Sequence, residues 1–214
     1  MASPDALIDE ETLEPFLVLV LLCGVALLFS VPWAQRVKEF SLFSFLSRLP
    51  IYFSAHAFLM GVLGLNLGAT SAARGEPRPA AALLLAKRVL LGQFLTLPYL
   101  LFARSLYPGK EAALLLILVY TTAFSLACAL GGRLLEGPTR ASSSRAFPLK
   151  YLAFLLYCLA PLPALLALSP LGLPAVLLGT HAKEGVLLSF AVPTAAAALF
   201  FLLLRRKRGG ESSA

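Results

Sequence analysis

Six stretches of this chain run for roughly twenty residues each with scarcely a charged side chain, at 15–34, 50–70, 83–103, 112–130, 151–169 and 186–204. A helix rising 1.5 Å per residue needs about that many to cross roughly 30 Å of hydrocarbon. The runs are continuously apolar and do not alternate between lipid-facing and lumen-facing residues, so they predict helices and not the strands of a barrel. The expectation is an all-α polytopic membrane protein with six transmembrane helices. It divides into a short acidic segment (1–14), a membrane domain (15–204) and a basic tail (205–214). Composition agrees, with 59% hydrophobic residues, 14% charged residues and a mean hydropathy of +0.84.

Three connections carry further information. In 35–49, Phe40, Phe43 and Phe45 interleave with Ser41, Ser44 and Ser47, which suits either a short amphipathic helix in the interface or a plain loop with buried aromatics. In 72–88, reading SAARGEPRPAAALLLAKR from Ser71, Pro77 and Pro79 stop the second span from continuing, 80–86 begins a new helix, and Pro79 suits a first helical turn. A solvated turn with snorkelling Lys87 and Arg88 is the plainer reading of that segment. The stretch 161–184 is apolar but carries Pro161, Pro163, Pro170, Pro174, Gly172 and Gly179, which suits a broken, re-entrant hairpin before the last span or a kinked fifth span followed by a loop.

Charge sets the expected orientation. Twelve of the eighteen Lys and Arg residues fall on the side that six spans assign to both termini: Arg74, Arg78, Lys87, Arg88, Arg133, Arg140, Arg145, Lys150 and the run from Arg205 to Arg208. Basic residues near span ends are retained in the cytoplasm, so both termini are expected there, in the plasma (inner) membrane. The net charge of +7 then acts as a topology signal and an anchor to anionic lipid headgroups, with no need for nucleic acid. Trp33, Tyr52, Tyr107 and Tyr151 occupy expected interfacial belt positions. The first run follows Asp5, Asp9, Glu10, Glu11 and Glu14 and lacks a basic leader, so it is expected to be a retained span.

None of the six runs contains an acidic residue. Proton-coupled and sodium-coupled transporters usually hold a carboxylate at membrane depth, and membrane hydrolases hold a titratable pair, so the energy for any transport is expected from outside the bundle. No Gly-rich phosphate loop, GxSxG elbow or HExxH motif is present, and the chain is not expected to be an enzyme or to hydrolyse ATP itself. Cys23, Cys128 and Cys158 are scattered and signal neither disulfides nor a metal site; they read as small packing residues. His56 and His181 have no ligand set around them and read as single, satisfied histidines.

Few polar residues remain at depth: Asn66, Thr70, Gln93, Thr96, Thr121, Thr122 and Ser125. Helix-to-helix hydrogen bonds of about 1 kcal/mol each explain them by default. The other reading is a substrate path through Asn66, Gln93 and Thr96. Gly61, Gly64 and Gly68 form a small-residue stripe that lets helix backbones approach closely, a candidate dimer seam.

The order of these features resembles the membrane permease subunits of ABC type-2 transporters over most of the chain. The stretches that carry the likeness are GATSAARGEP followed by LLLAKRVLLGQFL, then AFSLACALGGRLLEGPTRASSSRAF, then LSPLGLPAVLLG leading to AALFFLLLRRKRG. The opening segment is acidic where the family has a basic amphipathic helix, and Glu76 is followed directly by Pro77, which implies a shortened coupling element. The resemblance implies a dimer of permeases, identical or related, resting on cytoplasmic ABC ATPase subunits. Arg74, Glu76, Arg78, Lys87 and Arg88 would form the coupling surface. ATP and Mg would be bound by those partners and no cofactor by this chain, which would export a hydrophobic, lipid-like or peptide substrate. A haem-export or cytochrome c maturation type permease and a non-transporting membrane scaffold are the rival expectations.

Overall fold

The computed structural model describes residues 10–36, 51–75, 78–105, 110–136, 151–152, 154–159, 169, 174 and 178. Four long helices account for most of them: α1 (Glu10–Arg36), α2 (Ile51–Ala73), α3 (Arg78–Arg104) and α4 (Glu111–Glu136). Residues 151–152 and 154–159 are also helical, and no strand occurs among the described residues. Each long helix contains a segment long and apolar enough to cross a membrane: Thr12–Ser30, Tyr52–Ala73, Ala80–Arg104 and Glu111–Leu134. The sixth expected span, at 186–204, and the loop at 37–50 lie outside the described residues, as does most of the expected hairpin.

The helices overrun the apolar stretches that announce them. α3 begins at Arg78, so the new helix expected at 80–86 and the third span are one element. Pro79 causes no break because it sits in the first turn, where its missing N–H has no helical partner to lose. Pro98 lies inside α3 and removes one ladder hydrogen bond without ending the helix. α2 stops by a different device: Arg74 N–H reaches Thr70 O at 3.0 Å, Gly75 N–H reaches Ala72 O at 3.1 Å, and Gly75 takes φ of 66°. That left-handed conformation suits glycine and closes a helix C-terminus.

Neighbouring contacts fix an up-down-up-down order. Gly92 of α3 lies against Leu63 of α2 and Phe16 and Leu19 of α1, while Tyr99 lies against Gly24, so α1 and α3 run parallel and α2 runs against them. α2 and α4 are parallel and nearly in backbone contact. A Cβ built on Gly64 would stand 2.2 Å from the Ser125 carbonyl oxygen, one on Gly68 1.9 Å from that of Ala129, and one on Gly132 2.5 Å from that of Leu65. The Ser125 hydroxyl donates to Met60 O at 2.6 Å, and Arg133 donates to Ser71 Oγ at the end that bears the α2–α3 turn.

The glycine stripe is therefore used within the chain. Gly64 and Gly68 admit α4, while Gly61 makes room for the rings of Phe124 and Phe154. α2 is the central element, and Tyr52, expected at an interfacial belt, is buried because neighbouring helices cover that end of α2. α1 is peripheral, with Leu17, Leu21, Leu28 and Phe29 exposed as a lipid-facing side requires.

Candidate functional site

Three helices place polar side chains in one buried layer. His56 of α2 faces Thr96 of α3, with Nε2 and Oγ1 3.0 Å apart. The Thr96 oxygen also lies 3.0 Å from the carbonyl of Gln93 and 3.2 Å from that of Gly92. A hydroxyl has one proton, and in a helix it is directed to the backbone carbonyl one turn back. Thr96 must then accept from His56, which assigns the proton to Nε2 and leaves Nδ1 as a lone-pair acceptor. Nδ1 is buried and has no hydrogen-bond partner among the described residues.

Gln93 continues the layer toward α4. Its amide Nε2 donates to Thr121 Oγ1 over a long 3.4 Å, while Thr121 donates onward to Leu118 O at 3.1 Å. The Gln93 side-chain oxygen Oε1 is buried without a partner among the described residues, and so is the Tyr52 hydroxyl one turn along α2 from His56. The Tyr52 and His56 rings stack with centroids 6.0 Å apart and planes 19° from parallel. Buried acceptors left unmatched are costly, on the order of 1–3 kcal/mol each, and mark places where a structure is built to meet something else.

Beside this layer, a groove of about 560 Å³ lies between α3 and α4. Gln93 and Thr122 are its polar residues, and Leu90, Phe94, Leu118 and Val119 are among its apolar ones. Leu90, Phe94 and Val119 are strongly exposed, so the groove faces sideways out of the bundle. Thr122 donates to Leu118 O at 2.9 Å and keeps only acceptor capacity. A second groove, of about 390 Å³, lies between α1 and α2 and includes Glu14, Asn66 and Tyr151. Tyr151 donates to Asn66 Oδ1 there.

The residues considered as a substrate path thus separate. Gln93 and Thr96 share the layer with His56, whereas Asn66 stands ten residues from His56 along α2, roughly 15 Å by helical rise, in the other groove. Of the coupling residues, Arg74 is exposed on the turn after α2 and Lys87 is exposed on α3, while Arg88 is buried. Glu76 lies outside the described residues, and Arg78 opens α3. Sequence reasoning missed two features of the interior: the His56–Thr96 bond and the buried Arg133, which ties α4 to Ser71. The first joins positions forty residues apart and has no local signal. The second had one in Gly131 and Gly132, since small residues before a cation allow it to be drawn into a helix seam. The chain matches no family model, no curated protein and no solved structure.

Proposed function

We propose that this protein is the membrane permease subunit of a transporter driven by a separate cytoplasmic ATPase, of the ABC type-2 kind, with both termini in the cytoplasm. One observation carries the reading: among the described residues the interior offers polar, uncharged groups at mid-depth, with the buried Arg88 and Arg133 nearer the end that bears the α2–α3 turn, and no carboxylate with which to couple an ion gradient. The acidic residues of the four long helices lie at their ends, at Glu10, Glu11, Glu14, Glu111 and Glu136. Work must then be delivered mechanically. The short, glycine-capped turn between α2 and α3 suits that task, because α2 is locked to α4 and any push on the turn is transmitted to both. Charges on that turn would provide the water-stable contacts a transmitting surface needs.

The test is to neutralise Arg74, Glu76 and Arg78 together and measure association with the ATPase and nucleotide-dependent transport in proteoliposomes. Loss of both, with the fold intact, is expected. Unchanged association and transport would sink the reading.

A further inference from the structure

The α3–α4 groove couples an apolar, sideways-opening wall to the buried Gln93 amide, whose side-chain oxygen has no partner among the described residues. Gln93 is the sixteenth residue of α3, roughly 22 Å of helix from Arg78 and 16 Å from Arg104. Thr122 is similarly central in α4. Both polar groups therefore sit near the bilayer midplane, a depth that phospholipid headgroups do not occupy.

We propose that this groove binds a lipid carrying a neutral hydroxyl, its hydrocarbon lying along Leu90, Phe94 and Val119 and its O–H donating to Gln93 Oε1. The proposal names the cargo class of the permease reading and rests on it. The chemistry excludes other headgroups: no lining residue is charged, so neither an anionic nor a cationic head finds a counter-charge at that depth. The unmatched polar atom of Gln93 is an acceptor, its side-chain oxygen, and Thr122 adds acceptor capacity, so a ligand that satisfies that oxygen must supply a donor. The Gln93 amide is held only by its long contact with Thr121, and its terminal torsion is soft, so it can turn its carbonyl into the groove. The volume lies within the range of small-molecule sites.

The experiment uses the full chain in nanodiscs without any ATPase and two photoactivatable, alkyne-tagged probes: a diacylglycerol with its free hydroxyl and the same molecule as its methyl ether. The hydroxyl probe is expected to label α3 and α4 peptides about three- to tenfold more than the ether, the worth of one hydrogen bond. Gln93→Leu is expected to bring the two probes to equal labelling, and Val119→Trp, which fills the groove from its lipid side, to abolish labelling by both. Equal labelling of the unaltered protein by the two probes would overturn the proposal, and that comparison stands even if Gln93→Leu does not fold. Persistent labelling in Val119→Trp would overturn the location. Because no nucleotide or partner is present, a failure here leaves ATPase association standing, and a failure of ATPase association leaves this binding result standing.

Discussion

Replacing Gly68 by alanine should unseat α4. A Cβ at that position would lie 1.9 Å from the Ala129 carbonyl oxygen and 2.8 Å from the Arg133 nitrogen, both backbone atoms that no rotamer change can move. Carbon and carbonyl oxygen settle at about 3.3 Å or more, so the two helices must part by roughly 1.4 Å. Forced overpacking of this kind costs about 1–3 kcal/mol. The separation also strains the Ser125–Met60 and Arg133–Ser71 hydrogen bonds, adding about 1 kcal/mol. The better helix propensity of alanine returns at most about 1 kcal/mol, so destabilisation wins by about 1–3 kcal/mol. Gly24→Ala is the internal control, since its Cβ would meet the Tyr99 ring and hydroxyl at 3.5–3.6 Å, ordinary contact distances. Unfolding in graded SDS, followed by helical circular dichroism, compares the two. Gly24→Ala should unfold at the same SDS as the parent or slightly higher, whereas Gly68→Ala should unfold at clearly lower SDS. If the two variants unfold together, the close parallel packing of α2 and α4 is wrong.

Thr96→Val removes the acceptor for His56 Nε2–H and should destabilise the bundle by about 1–3 kcal/mol in the same assay, whereas an effect below about 0.5 kcal/mol would deny the bond. Nitrogen NMR of labelled His56, with His181 replaced for assignment, should report the Nε2–H tautomer at neutral pH; the Nδ1–H form would contradict the hydrogen-bond order assigned to Thr96. Arg104→Ala should change stability by less than about 1 kcal/mol, because its 3.2 Å pair with Glu111 is exposed at both ends, and a larger loss would show that this link organises the α3–α4 connection.

The helices themselves were legible because a twenty-residue apolar run has little choice but to form one in lipid, where every backbone group must be satisfied internally. Their ends were less so. Pro79 suits a first helical turn from the sequence and stands in one, whereas Arg78 reads as part of the preceding turn and is instead the residue on which α3 opens. The glycines of α2 announced a close helix interface, but spacing alone does not say whether the facing helix belongs to the same chain; Ser125, Ala129 and Gly132 of α4 supply that answer here. The site was half legible. Gln93 and Thr96 stand out as polar residues in apolar surroundings, whereas their convergence with His56 depends on α2 and α3 running antiparallel at a particular register, which no local pattern encodes.

Under the proposed function, a bundle with no carboxylate in its apolar runs takes its work from a nucleotide-hydrolysing partner. Mild detergent extraction of the tagged chain from its native membrane, followed by identification and assay of whatever remains bound, tests it most directly. A stoichiometric ATPase whose turnover changes when the chain is present is the expected result. A purified chain that carries solute down an ion gradient with no such partner would contradict it.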